Sequence, residues 1–154
     1  MTVAFVILLG CASPPSPSVL HAPVDVPGAA PAGPVIVTTA AGRYTFTWAP
    51  QPAPLPFNTL FSIRTVLLDR TGMPVTRGSV SVDATMPQHG HGMPTHPIPN
   101  PGTCGNPADP ATCVHPDGIY VSDGMKFHMQ GEWVLHFVVD GPDGQDVADV
   151  HYAL

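Results

Sequence analysis

The chain carries 21 prolines among its 154 residues. That is about one residue in seven, where one in twenty is usual. A proline inside a helix removes a backbone hydrogen bond and collides with the preceding turn, which excludes an architecture of long helices. Disorder throughout is excluded as well, because 44% of the residues are hydrophobic and the net charge is only -6. What remains is short strands joined by proline-rich loops. The length suits one domain. Charged residues make up 10% of the chain and no basic stripe is present, so no nucleic-acid partner is expected.

Residues 3–10, Val-Ala-Phe-Val-Ile-Leu-Leu-Gly, are too few to span a bilayer, which takes about 20 residues. They suit the apolar segment of a signal peptide. Leu8-Leu9-Gly10-Cys11 resembles the bacterial lipobox, which implies cleavage before Cys11 and lipidation of it. The basic residues that usually precede such a run are missing, and an upstream start would supply them. The expected organisation is therefore a lipoprotein-type signal segment over 1–10, a Pro/Ala-rich tether over 11–34 and a β-domain over 35–154. The protein is then held at the bacterial cell envelope, in the periplasm or on the cell surface, by a lipid anchor alone. His21, in the tether, reads as solvated.

Cys104 and Cys113 remain, with Gly-Asn-Pro-Ala-Asp-Pro-Ala-Thr between them. In an exported protein an even remainder reads as a disulfide. The rival reading is a pair of thiolate metal ligands.

From Val35 onward the pattern is β. Val35–Thr39 and Tyr44–Trp48 are β-branched and aromatic, and the second alternates Tyr44, Phe46 and Trp48 against Thr45 and Thr47. Phe61, Ile63, Val66 and Leu68 mark a strand in Leu60–Asp69, and Arg70-Thr71-Gly72 a turn. Gly78–Thr85 alternates Val80, Val82 and Ala84 inward. A long Pro/Gly/His-rich loop runs from Met86 to about Gly118. Ile119–Val121, Met125–Met129, Trp133–Val139 and Val147–Tyr152 are expected as further strands. Turns at Asp123-Gly124, Gly131-Glu132 and 140–144 separate them. The predicted fold is all-β, an immunoglobulin-like antiparallel β-sandwich of 7–8 short strands, with Trp48 and Trp133 in its core.

The loop carries the chemistry. Met86-Pro-Gln-His89-Gly-His91-Gly-Met93-Pro-Thr-His96 places three imidazoles and two thioethers in eleven residues, with no carboxylate among them. Imidazole suits copper, zinc and nickel, and thioether is useful mainly to Cu(I). Calcium, magnesium and manganese want hard oxygen ligands, which are missing. Glycines on both sides of His91 let the His89 and His91 rings turn toward one ion. The bland alternative is a flexible loop whose histidines only solubilise it, but solubility does not call for methionine. On a strand, His128 points to the face opposite Met125, Phe127 and Met129. His128 is thus a ligand candidate, Met125 and Phe127 are core, and Met129 is either core or ligand. His136 and His151 read as satisfied sheet residues, and His115 as one that folds over the metal only if the cysteine loop brings it there.

Val82-Asp83-Ala84-Thr85-Met86-Pro with the His/Gly/Met run, Gly118-Ile-Tyr120, and Phe127-His-Met129-Gln-Gly131-Glu-Trp133 together resemble the YtkA-like domain family. The resemblance covers roughly 57–153. It implies a small exported or lipid-anchored immunoglobulin-like sandwich associated with copper handling or oxidase assembly, and it nominates Met86, His89, His91, Met93 and Met129 as the metal-site region.

No nucleophile elbow, P-loop, dinucleotide fingerprint or His-Glu-x-x-His motif is present, and Glu132 is the sole glutamate. Catalysis is not expected. A blue-copper carrier needs a free cysteine, which a Cys104–Cys113 disulfide would remove. Two functions from different classes remain. One is a lipid-anchored protein that captures, buffers or delivers copper, favouring Cu(I) and taking Cu(II) at His89 and His91. Its partner would be a membrane oxidase or a copper-accepting protein. The other is a metal-independent module that docks on a membrane complex. Exchange of His89, His91 and Met93 separates them, because only the first function depends on these side chains.

Overall fold

The computed structural model describes residues 35–154. The expected signal segment, Cys11 and the tether with His21 lie outside the described residues. Eleven strands follow one another: β1 (Ile36–Thr38), β2 (Tyr44–Gln51), β3 (Phe61–Asp69), β4 (Ser79–Met86), β5 (His91–Gly92), β6 (Ile98–Pro99), β7 (Thr103–Cys104), β8 (Cys113–Val114), β9 (Ile119–Met125), β10 (Glu132–Gly141) and β11 (Gly144–Ala153). One sheet has the order β1-β2-β3-β9-β6 and the other β11-β10-β4-β5, with β7-β8 as a separate ribbon. All pairings are antiparallel.

Without β1 and β5, the order β2-β3-β9-β6 over β11-β10-β4 is the four-plus-three arrangement of a constant-type immunoglobulin sandwich. The expected all-β, immunoglobulin-like sandwich is therefore the observed one. Alternation builds it. Phe61, Ile63, Thr65 and Leu67 of β3, Val80, Val82, Ala84 and Met86 of β4, and Trp133, Leu135, Phe137 and Val139 of β10 are all buried. Side chains of period two put one face of each strand between the sheets.

Several boundaries differ from the sequence reading. In β3 the inward residues are Thr65 and Leu67, while Val66 and Leu68 lie on the other face. β2 continues beyond Trp48 through Pro50 to Gln51, outrunning its neighbour β1, which pairs only with Thr45–Thr47. Pro50 therefore takes nothing from a second ladder, as edge prolines must not. Asp123-Gly124 is not a hairpin turn. The register steps from Phe61↔Met125 to Ser62↔Asp123, leaving Gly124 at φ 91° as a bulge within one strand, β9. Strand structure then stops at Met125, so Met125–Met129 is not the strand expected. Residues 126–131 instead cross from one sheet to the other.

The long loop is also more ordered than proline and glycine suggest. It is pinned by β5 on β4, by β6 on β9 and by the β7-β8 ribbon, where Cys104 and Cys113 face each other in a disulfide with S–S 2.00 Å. The disulfide pairing holds and the thiolate-ligand alternative falls.

Asp146 ties the two sheets at the end opposite the loop carrying His89. It lies inward on β11, 5% exposed. Its carboxylate accepts hydrogen bonds from Thr39 Oγ1 (2.7 Å), the Ala41 amide (3.0 Å), the Arg43 amide (3.2 Å) and the Val147 amide (2.9 Å). Burial alone would raise its pKa; the four donors outweigh that and bring it down to about 2. A carboxylate held below its unfolded value of about 3.9 adds stability above that pH and loses it as the pH falls toward its folded value. Asp146→Asn is expected to lower neutral-pH stability by about 2 kcal/mol. Urea unfolding at a series of pH values should show wild-type stability declining between about pH 4 and pH 2, with that part of the decline absent in the variant.

Candidate metal centre

The sandwich brings three connections to one end: residues 52–60 between β2 and β3, 87–90 between β4 and β5, and the crossing 126–131 between β9 and β10. The Asn58 amide donates to Phe127 O at 2.8 Å, and Gln88 Nε2 donates to Glu132 Oε2 at 2.8 Å. Gly131 and Leu154 exchange both backbone hydrogen bonds, at 3.0 and 3.1 Å. The three connections and Leu154 thus close over the same end of the core.

The 87–90 turn is built on Met86 O, which accepts from the His89 and Gly90 amides at 3.1 and 3.0 Å. Gly90 takes φ 67°, a conformation glycine adopts without a Cβ penalty. The return strand places His91 opposite Met86. Directly paired residues share a face, so His91 stands at the open rim of the space between the sheets.

His128 comes to the same rim from the 126–131 crossing. Its ring centre is 5.4 Å from that of His91, and His89 is 5.7 Å from His91 on the other side. Two imidazoles sharing an ion through bonds of about 2.0 Å hold their ring centres roughly 5–6 Å apart. Each adjacent pair therefore already has the spacing of a shared ligand set. His91 Nδ1 lies 3.0 Å from Gly92 O. A carbonyl only accepts, so in the neutral ring Nδ1 carries the hydrogen and Nε2 offers its lone pair. Metal-binding histidines are commonly fixed by such a bond on the second nitrogen.

His128 is half-buried, and its Nδ1 is buried with no hydrogen-bond partner among the described residues. An unsatisfied buried polar atom costs about 1–3 kcal/mol, which an arriving ligand would return. Met93 packs half-buried against the core, and its sulfur accepts the Lys126 amide at 3.4 Å, two residues before His128. One sulfur lone pair remains.

The wall behind His128 is aromatic. Trp133, fully buried, meets the His128 ring edge-on at 5.7 Å and stacks on Phe127 at 4.5 Å and 6° between planes. Trp133 Nε1 donates to Met129 O at 3.0 Å. The sequence reading placed Trp133 in the core and not at the site; it belongs to both. The available clue is its position two residues after Gly131, in the same short segment as His128.

The remaining nominated residues are not gathered there. Met86 is fully buried, with its Cε against Gly131. Met129 is half-buried on the core and serves the site through its carbonyl. His96 is exposed, and its carbonyl lies beside the Gly124 bulge. His115, 4% exposed, is remote: it stacks on Tyr120 at 3.9 Å and donates from Nδ1 to Ile119 O at 3.2 Å. Burial holds its pKa below the ordinary histidine value, against a smaller upward pull from that carbonyl. The adjacent disulfide ribbon lies by the other end of the sandwich, where Arg77 Nη1 donates to Ala111 O at 2.7 Å. His136 bridges three strands on the outer sheet face, with Thr85 Oγ1 at 2.8 Å from Nε2 and Asp149 at 2.8 Å from Nδ1. His151 is exposed.

Among the described residues, no group of three or more His, Cys, Asp or Glu side chains is arranged about one point to hold an ion. What stands at the rim is a row of imidazoles, His89, His91 and His128, with the Met93 sulfur held by the Lys126 amide two residues before His128. Comparison of the chain with protein-family models, with curated proteins and with solved structures finds no match.

Proposed function

We propose that the protein binds copper at this rim and captures, buffers or delivers it in the bacterial cell envelope, with Cu(I) favoured and Cu(II) accommodated. The observation that carries this reading is the meeting of His91, on β5, with His128, on the 126–131 crossing, at 5.4 Å, with the buried Nδ1 of His128 unpartnered among the described residues. Met93 supports copper over zinc or nickel, because a neutral thioether stabilises soft Cu(I) and adds little for harder ions. The Cys104–Cys113 disulfide fits an oxidising compartment. The lipobox-like Leu8-Leu9-Gly10-Cys11 segment and the YtkA-like resemblance of the Met-Pro loop point to the same setting. A membrane oxidase or another copper-accepting protein is the partner such a role requires.

Anaerobic titration of the full chain with Cu(I) against a chromophoric competitor tests the proposal. One ion per chain is expected, with Trp133 emission quenched as the ion reaches His128. Binding no tighter than that of free histidine, with Trp133 emission unchanged, overturns it.

A second reading, a metal-independent docking module, is favoured by one feature. Phe57 and Leu60 are 51% and 60% exposed in the 52–60 connection, beside the same rim. Exposed large apolar side chains grouped at one place mark contact surfaces. Partner binding that survives in a chain unable to hold copper would select this reading.

A further inference from the structure

We infer that the rim offers one copper ion two alternative positions that share the His91 ring: an inner one on His91, His128 and Met93, and an outer one on His91 and His89. This rests on the copper reading above and specifies how the ion gets in and out.

The three imidazoles stand in a row with His91 in the middle. Ring contacts join His89 to His91 at 5.7 Å and His91 to His128 at 5.4 Å, and among the described residues none joins His89 to His128. Three rings around one ion would all be mutual neighbours at roughly 5–6 Å. A row meets that condition only pairwise, so His89 and His128 are alternative partners of His91.

The two positions differ in surroundings. His89 is exposed on the turn, next to Gly90 at φ 67°, and no side-chain hydrogen bond holds it among the described residues. His128 is half-buried, backed by Trp133, and close in sequence to the amide that holds the Met93 sulfur. The inner position therefore has the extra soft donor, the lower water access and an unpaired nitrogen to satisfy. The outer position has two borderline nitrogens and open solvent. Affinity for Cu(I) belongs to the inner set and exchange belongs to the outer pair.

Movement between them is a ligand exchange at constant oxidation state. The Cu–N bond to His128 and the contact to Met93 break as a Cu–N bond to His89 forms, and the bond to His91 persists. No electron or proton is transferred. With Nδ1–H given to Gly92 O, Nε2 is the His91 nitrogen that would hold the ion in either position.

The test uses the full chain, loaded anaerobically with one equivalent of Cu(I), and measures two quantities: equilibrium affinity and the rate at which a chromophoric chelator removes the ion. His128→Ala and Met93→Leu are each expected to weaken affinity by about tenfold or more. Met93→Leu keeps the packed volume, so its effect is separable from misfolding. His89→Ala is expected to leave affinity within about twofold and to slow removal by about tenfold, and His91→Ala to damage both. A His89→Ala loss of affinity equal to that of His128→Ala would mean a single three-histidine site and overturn the inference. An unchanged removal rate in His89→Ala would overturn it too, by showing a bystander. Wild-type chain that binds no copper fails the function proposal itself, a result distinct from either.

Discussion

Trp133→Ala is expected to lower the unfolding free energy by about 3–5 kcal/mol, the range for deleting a fully enclosed large aromatic. Trp133 has no exposed surface, and it contacts three partners of different kinds. It stacks on Phe127, donates Nε1–H to Met129 O, and supports the edge of the His128 ring. Removing it leaves a cavity between the sheets and frees the 126–131 crossing from its anchor. Urea or thermal denaturation of the two chains reads the loss. Trp48→Ala is the control: Trp48 is only half-buried, and its cost should be clearly smaller. Equal costs for the two tryptophans would mean that the crossing does not lean on Trp133.

Gly131→Val is expected to be almost as damaging, at about 2–4 kcal/mol, through backbone strain and overpacking together. Gly131 has φ 131°, a region that β-branched residues avoid, and a Cβ there would stand 2.9 Å from Met86 Cε. The atom met is the end of the Met86 side chain, which is fully buried, so it yields only by shifting within the core. Both backbone hydrogen bonds to Leu154 depend on the same residue. Gly131→Ala separates the causes, because it keeps the φ penalty and the Cβ contact with Met86 and loses only the crowding of the two γ-methyls. Circular dichroism melts of both variants, with Cu(I) competition on the same samples, should show copper affinity falling with the displacement of His128. A Gly131→Val chain as stable as the wild type would contradict the placement of this crossing.

Alternation made most of the sandwich readable. Val80, Val82 and Ala84, or Phe61 and Ile63, point the same way in any strand of period two, so the inner faces follow from the letters alone. Boundaries and crossings do not. Asp123-Gly124 has the composition of a tight turn, and only the pairing with Phe61 and Ser62 reveals a bulge inside β9. The segment 126–131 looks like a strand because Met125, Phe127 and Met129 alternate with Lys126 and His128. It leaves the sheet because it must carry the chain across to β10. Strand alternation gave His128 a face but no neighbour, whereas the crossing gives it His91. In the same way the eleven-residue His/Met run supplied donors without an arrangement. Met86 was counted with the ligands because it is adjacent in sequence, but the β4 alternation that places Val80, Val82 and Ala84 inside places Met86 inside as well. The disulfide was legible from parity, and the lie of its ribbon by the other end of the sandwich was not.

Strand direction has a consequence for how the domain is held. β2 runs toward the imidazole end and finishes there at Gln51, so its antiparallel neighbour β1 starts on that side, with Ile36 opposite Thr47 and Thr38 opposite Thr45. β11 also finishes there, where Leu154 meets Gly131. The polypeptide thus arrives and departs on the side of His91 and His128. A polyhistidine tag or fusion at Leu154 would sit across the mouth, so metal measurements on this chain call for an internal or removable handle.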